Sequence, residues 1–166
     1  MSLLLAAIGA TVTALVEATL GQFLTVGDAT PHPLLVGGVI WTIAAGIDRG
    51  ITWAFVGGLV LDSLLARPLG ATPVALLLAA GGAALLSQPF PRLRLVAPIV
   101  AVPVLSFFYS MLILGIESAV RPGISVPDAA RLFLPGALYD TIVAMFLGPL
   151  AITLHDRRTA TERVDW

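Results

Sequence analysis

The sequence predicts an all-α integral membrane protein, a six-transmembrane-helix bundle with five spans as the alternative. Three observations carry that expectation. The chain is 58% hydrophobic and only 11% charged over 166 residues, whereas an ordinary globular chain carries about 25% charged residues. Its mean hydropathy is +0.98. Its apolar runs have the length of membrane helices and are divided by glycine, proline and arginine.

A spanning helix needs about 20 apolar residues, and four segments meet that requirement: Leu3 to Val26, Ala71 to Gln88, Leu95 to Ala119, and Arg131 to Leu154. The opening MSLLLAAIGA lacks a basic n-region and its apolar character continues well beyond it, so it reads as a retained helix and not a cleaved signal. Between the first two segments lies a longer apolar stretch interrupted by Asp48-Arg49-Gly50. It reads as a hairpin of two short helices, about Pro33 to Ile47 and Ile51 to Ala66, and a partly re-entrant pair here gives the five-span alternative. Further breaks are expected at Gly27-Asp28, Arg67-Pro68, the stretch from Gln88 to Arg92, and Arg121-Pro122-Gly123. Residues 1–154 thus form a single helical domain, and 155–166, HDRRTATERVDW, form a polar tail.

With no lysine in the chain, arginine alone sets the orientation. If the N-terminus is cytoplasmic, Arg49, Arg92, Arg94, Arg157, Arg158 and Arg163 fall inside and only Arg67, Arg121 and Arg131 outside. That asymmetry favours both termini, and the polar tail, in the cytoplasm.

Four acids then fall in the outer half of the membrane: Glu17, Asp62, Glu117 and Asp140. Charged groups in a membrane face a bundle interior, a cavity or a partner. Helical spacing agrees, because each acid shares a face with small or hydroxylated residues. Ala6, Ala10, Thr13, Ala14, Glu17 and Gly21 form one stripe, and Gly136, Asp140, Ala144 and Gly148 another. Ser106 and Ser110 share a face with Glu117, and Gly50, Ala54, Gly57 and Gly58 line the helix side that ends at Asp62. Small residues permit close helix approach in membranes, and AAGGAA at 79–84 reads in the same way. Pairing with Arg67, Arg121 and Arg131 in an interfacial network is the simplest use of Asp62 and Glu117. Asp62 is expected to close its helix end by bonding donors near the Arg67-Pro68 turn, with Ser63 and Arg67 as local candidates.

Several function classes lose support. The chain has no cysteine, and its two histidines, His32 and His155, lack metal-ligand spacing. A net charge of −1 argues against nucleic acid. No phosphate loop, nucleophile elbow, zinc-protease motif or paired-carboxylate site occurs, so no enzyme and no cofactor are expected.

The run from Pro33 to Leu86 resembles the rod shape-determining protein MreD family. A proline opens the second segment at Pro33, a Gly-rich third segment ends in Gly58-Leu59-Val60-Leu61-Asp62, and a short loop closes on Leu69-Gly70. The last span, with Pro135 and Tyr139 near its start, is similar to the family's final helix. This resemblance implies a non-enzymatic scaffold of the bacterial cell-elongation machinery in the cytoplasmic membrane. Its implied partners are MreC, through it RodA and a class B penicillin-binding protein that make lateral-wall peptidoglycan, indirectly MreB, and membrane lipid. It also implies a fold similar to the substrate-binding subunits of energy-coupling-factor transporters. That similarity supplies the competing reading, a small-molecule-binding subunit with an outward cavity lined by Glu17, Asp62 and Asp140. A ligand cavity commonly needs about 300 Å³ or more, and the short outer loops favour the scaffold. Trp41 and Trp53 are expected as inner interfacial anchors. As a scaffold, the chain would use Gly57, Gly58, Gly136, Ala144 and Gly148 for helix packing, and Glu17, Asp62, Arg67, Glu117 and Asp140 as a polar cluster that is either partner-binding or structural.

Overall fold

The first helix shows how the bundle is assembled. Leu3–Leu20 is apolar all round, yet only its alanine stripe, Ala6, Ala10 and Ala14, is fully buried, while Leu4, Ile8, Val12 and Leu15 face outward. Small residues mark the packing side and large ones the outer side, the arrangement that close approach between helices in lipid requires. The structure is a computed structural model that describes residues 3–23, 30–87, 95–120 and 129–162. The side chains of Gln22, 129–132 and 157–162 lie outside that description.

Among the described residues there are six α-helices and no strand: α1 Leu3–Leu20, α2 Pro33–Ala45, α3 Ile47–Leu64, α4 Ala71–Ser87, α5 Ala97–Val120 and α6 Ala129–Glu162. A 3-10 turn, Gly21–Phe23, follows α1. The helices α1 and α5, and the stretch Phe133–Asp156 of α6, are long and apolar enough to cross a membrane. The breaks expected at Gly27-Asp28, at 88–92 and at 121–123 lie outside the described residues.

Besides α1, which ends at Leu20 and not at the expected Val26, two boundaries differ from the sequence expectation. The break in the hairpin falls at Gly46 and not at Asp48-Arg49-Gly50. Gly46 has φ +97°, a backbone region that side-chain-bearing residues disfavour, and its N–H closes α2 onto Thr42 O. The charged pair lies within the first turn of α3 and serves both helix ends at this junction. Asp48 lies in the first turn of α3, where the helix dipole favours a carboxylate, and Arg49 Nη1 donates to Ala45 O at the end of α2. The second difference is α6, which continues past Leu154 into the polar tail and carries Pro135 and Pro149 within it.

The short helix α2 occupies the centre and packs against all five others. At about 1.5 Å per residue, its 13 residues are too few to cross a hydrocarbon layer of about 30 Å. Its ends therefore lie among the neighbouring helices. Close packing around it depends on glycine. A Cβ at Gly58 would sit 2.6 Å from Pro73 N and 2.7 Å from Pro73 Cα, so α3 and α4 touch backbone to backbone.

Trp53 corrects another expectation. It is 6% exposed and belongs to the core, not to a membrane interface. Its indole lies over Gly37 and Gly38 of α2 and against Gly9 of α1, stacks on Trp41 at 5.8 Å, and donates from Nε1 to Leu34 O at 3.0 Å. Three glycines leave the space that the ring fills, which periodicity on α3 alone does not reveal.

Candidate functional site

A helix start leaves backbone N–H groups without intrahelical partners, and in a membrane bundle water is not freely available to satisfy them. Both short helices begin in this situation, and each carries a proline in its first turn, Pro33 or Pro73, with no N–H to satisfy. Carboxylates from other parts of the chain take the Leu34 N–H in α2 and the Thr72 N–H in α4, while the Ala71 N–H donates to Pro68 O.

At the start of α2, Glu17 of α1 accepts the Leu34 N–H at 2.7 Å. From α6, Asp140 Oδ1 accepts the His32 N–H at 2.8 Å, and Asp140 Oδ2 accepts from His32 Nδ1 at 3.0 Å. Ser106 of α5 donates to the same Oδ2 at 2.6 Å. Four helices, α1, α2, α5 and α6, are thereby joined around one helix N-terminus, where the dipole favours negative charge. Asp140 is 0% exposed, and three donors surround it. The His32 ring also meets Tyr109 edge-on, with centroids 5.3 Å apart.

At the start of α4, Asp62 performs the equivalent task. Its Oδ2 accepts the Gly70 N–H at 2.8 Å, and both oxygens lie 3.2 Å from the Thr72 N–H. Gly70 has φ +100°, which allows the chain to turn tightly enough for both amides to reach one carboxylate. The donors are backbone amides beyond the Arg67-Pro68 turn. Ser63 instead donates to Leu59 O, and the Arg67 side chain pairs with Glu117 at 3.2 Å. That ion pair ties the α3–α4 connection to the end of α5. Arg121 and the side chain of Arg131 lie outside the described residues.

All these groups gather at one end of the bundle, beside an open cavity of about 280 Å³. Its polar lining is Thr30, His32, Arg67, Tyr109, Ser110 and Glu117, with Gly136 in its wall. The outward cavity expected from Glu17, Asp62 and Asp140 is therefore lined differently. Those acids do not line it and are occupied largely by backbone amides; of their partners, His32 lines the cavity. The stripe Gly136, Asp140, Ala144, Gly148 is buried along its length, as are Gly57 and Gly58. A Cβ at Gly148 would meet Pro98 at 3.2 Å, and one at Gly57 would meet Leu34 at 2.7 Å.

The residue that the sequence reading passed over is His32. Its position immediately before Pro33, at the start of a helix too short to span, is the available signal. Chemically the site is centred on acceptors. Ser106 donates to the Asp140 carboxylate and not to the His32 imidazole, so the Ser–His contact of a serine-type catalytic triad is not made there. Among the described residues no group of three or more His, Cys, Asp or Glu is placed to hold a metal ion.

No curated protein matches the chain, and no solved structure does. The family model for the rod shape-determining protein MreD matches residues 2–157, and with apolar helices arranged around a capped central one, the chain belongs to the MreD family of shape-determining membrane proteins.

Proposed function

We propose that the chain is a non-enzymatic scaffold of the cell-elongation complex, its six-helix bundle set in the cytoplasmic membrane with both termini inside. It binds MreC, and through MreC engages RodA, a class B penicillin-binding protein and, indirectly, MreB. The observation that carries the reading is the gathering of Glu17, Asp62 and Asp140 at one end of the bundle, each accepting backbone N–H groups at a helix start, beside the Arg67–Glu117 ion pair. No hydrophobic effect drives helices together within lipid, so association there depends on close contact and interhelical hydrogen bonds. A polar rim held rigid by small-residue faces packed inside the bundle offers the hydrogen-bonding groups. His32, Arg67, Ser110 and Glu117 are the groups of that rim open to the cavity, and they are the side chains a partner segment would meet.

Purification of the full chain from native membranes, with its associated proteins and small molecules identified, tests the reading. Recovery of MreC or another elongation-complex protein supports it. A stoichiometric vitamin-like ligand with no such partner would reverse it in favour of a transporter subunit.

A further inference from the structure

A second cavity, of about 210 Å³, lies between α4 and α5 on the flank of the bundle. It is an apolar groove formed by Leu78, Leu105, Phe108, Leu112 and Tyr109. Leu78 and Phe108 are 58% and 60% exposed, so the groove faces the surroundings of the bundle and not its core. Tyr109 also lines the polar cavity at the bundle end. One side chain therefore forms a wall of both spaces.

A ligand that fills both spaces needs a polar head joined to an apolar chain. The polar cavity specifies the head further. Arg67 and Glu117 stand side by side, both partly exposed and both lining it. Their ion pair engages the guanidinium through Nε, leaving its other N–H donors outside that contact. Guanidinium groups recognise phosphate through several parallel hydrogen bonds, and the adjoining carboxylate complements a cation. An anionic head would meet the Glu117 charge directly, and a purely cationic one would meet Arg67. A zwitterion with phosphate and ammonium groups satisfies both members of the pair.

We propose that the polar cavity and the α4–α5 groove together bind one zwitterionic glycerophospholipid of the phosphoethanolamine class. Its phosphate lies on Arg67, its ammonium on Glu117, and an acyl chain follows the groove past Tyr109. This inference shares Arg67 and Glu117 with the MreC reading, but it concerns the chain without a partner and is tested on that chain alone.

Native mass spectrometry of the full-length protein released from nanodiscs of equimolar phosphatidylethanolamine and phosphatidylglycerol tests it. The wild type is expected to retain one phosphatidylethanolamine. Arg67→Gln removes the phosphate contact, and Leu78→Trp fills the groove from an exposed position. Each should reduce retention about tenfold, equivalent to about 1.4 kcal/mol of binding. Phe55→Trp, on an exposed face of α3, should retain the lipid as wild type does. If Arg67→Gln fails to fold, Leu78→Trp and Phe55→Trp still decide. Equal retention of both lipids, or undiminished phosphatidylethanolamine in folded Leu78→Trp, overturns the proposal. Retention of a lipid in these nanodiscs says nothing for or against MreC binding, so the two readings fail separately.

Discussion

Asp140 holds His32 twice, at the backbone N–H (2.8 Å) and at Nδ1 (3.0 Å), although 108 residues separate them. The contact fixes the entry to α2 against α6, and Ser106 adds α5 to the same carboxylate. Removing a buried acceptor leaves its donors unsatisfied, and hydrogen bonds to charged groups contribute about 1.5–3 kcal/mol each. Asp140→Ala should therefore destabilise the protein by about 3 kcal/mol or more. Asp140→Asn, which keeps one acceptor oxygen, should lose less, and Ser106→Ala, which deletes a single donor, least. Thermal unfolding in detergent followed by circular dichroism checks that order. Wild-type stability in Asp140→Ala would show that the cluster does not hold the helices together.

Glu17 and Asp62 cap different helices, so their effects should separate. Asp62→Ala is expected to expose the Gly70 and Thr72 amides, and Glu17→Ala the Leu34 amide. Loss of a cap costs about 1 kcal/mol, enough to speed local amide exchange several-fold at the helix start concerned. Hydrogen–deuterium exchange should show protection lost at the start of α4 in the first variant and at the start of α2 in the second. Uniform loosening of both helix starts by either substitution would contradict separate caps.

Glycine substitutions distinguish contact from mere helix composition. A Cβ at Gly58 would overlap the backbone of Pro73, which cannot move aside as a flexible side chain can, whereas one at Gly81 meets nothing within 4 Å. Gly58→Ala should force α3 and α4 apart and cost about 1–3 kcal/mol, the usual range for overpacking. Gly81→Ala should be neutral or stabilising by up to about 1 kcal/mol, since alanine is the better helix former. Thermal stability of the two single variants provides the comparison.

Much of the helix order is legible in the sequence because apolar length and glycine or proline breaks are local signals. The burial of Ala6, Ala10 and Ala14 follows from spacing alone, as does that of Gly136, Asp140, Ala144 and Gly148. What each acid touches does not follow. The partners of Glu17, Asp62 and Asp140 are largely backbone amides, which have no sequence signature of their own. They become readable only once α2 and α4 are recognised as helices that begin inside the bundle, as Pro33 and Pro73 suggest. Trp53 misleads for a related reason, since the glycines that accommodate it lie on two other helices. Gly46 misleads because a charged Asp48-Arg49 pair draws the eye past the residue that makes the turn.

The orientation rests on arginine asymmetry and is open to direct test, because the chain has no cysteine of its own. Single cysteines at Thr159, in the C-terminal segment, and at Ser125, between α5 and α6, supply one probe for each side. In intact cells an impermeant maleimide should label the Ser125→Cys protein and leave Thr159→Cys unlabelled until the membrane is opened. That result places the ends of α1, α3 and α5 outside, and with them the cavity of His32, Arg67 and Glu117. Labelling of Thr159→Cys from outside, with Ser125→Cys protected, would reverse the bundle. The cavity would then open to the cytoplasm, where an extracytoplasmic segment of a wall-synthesis partner could not reach it.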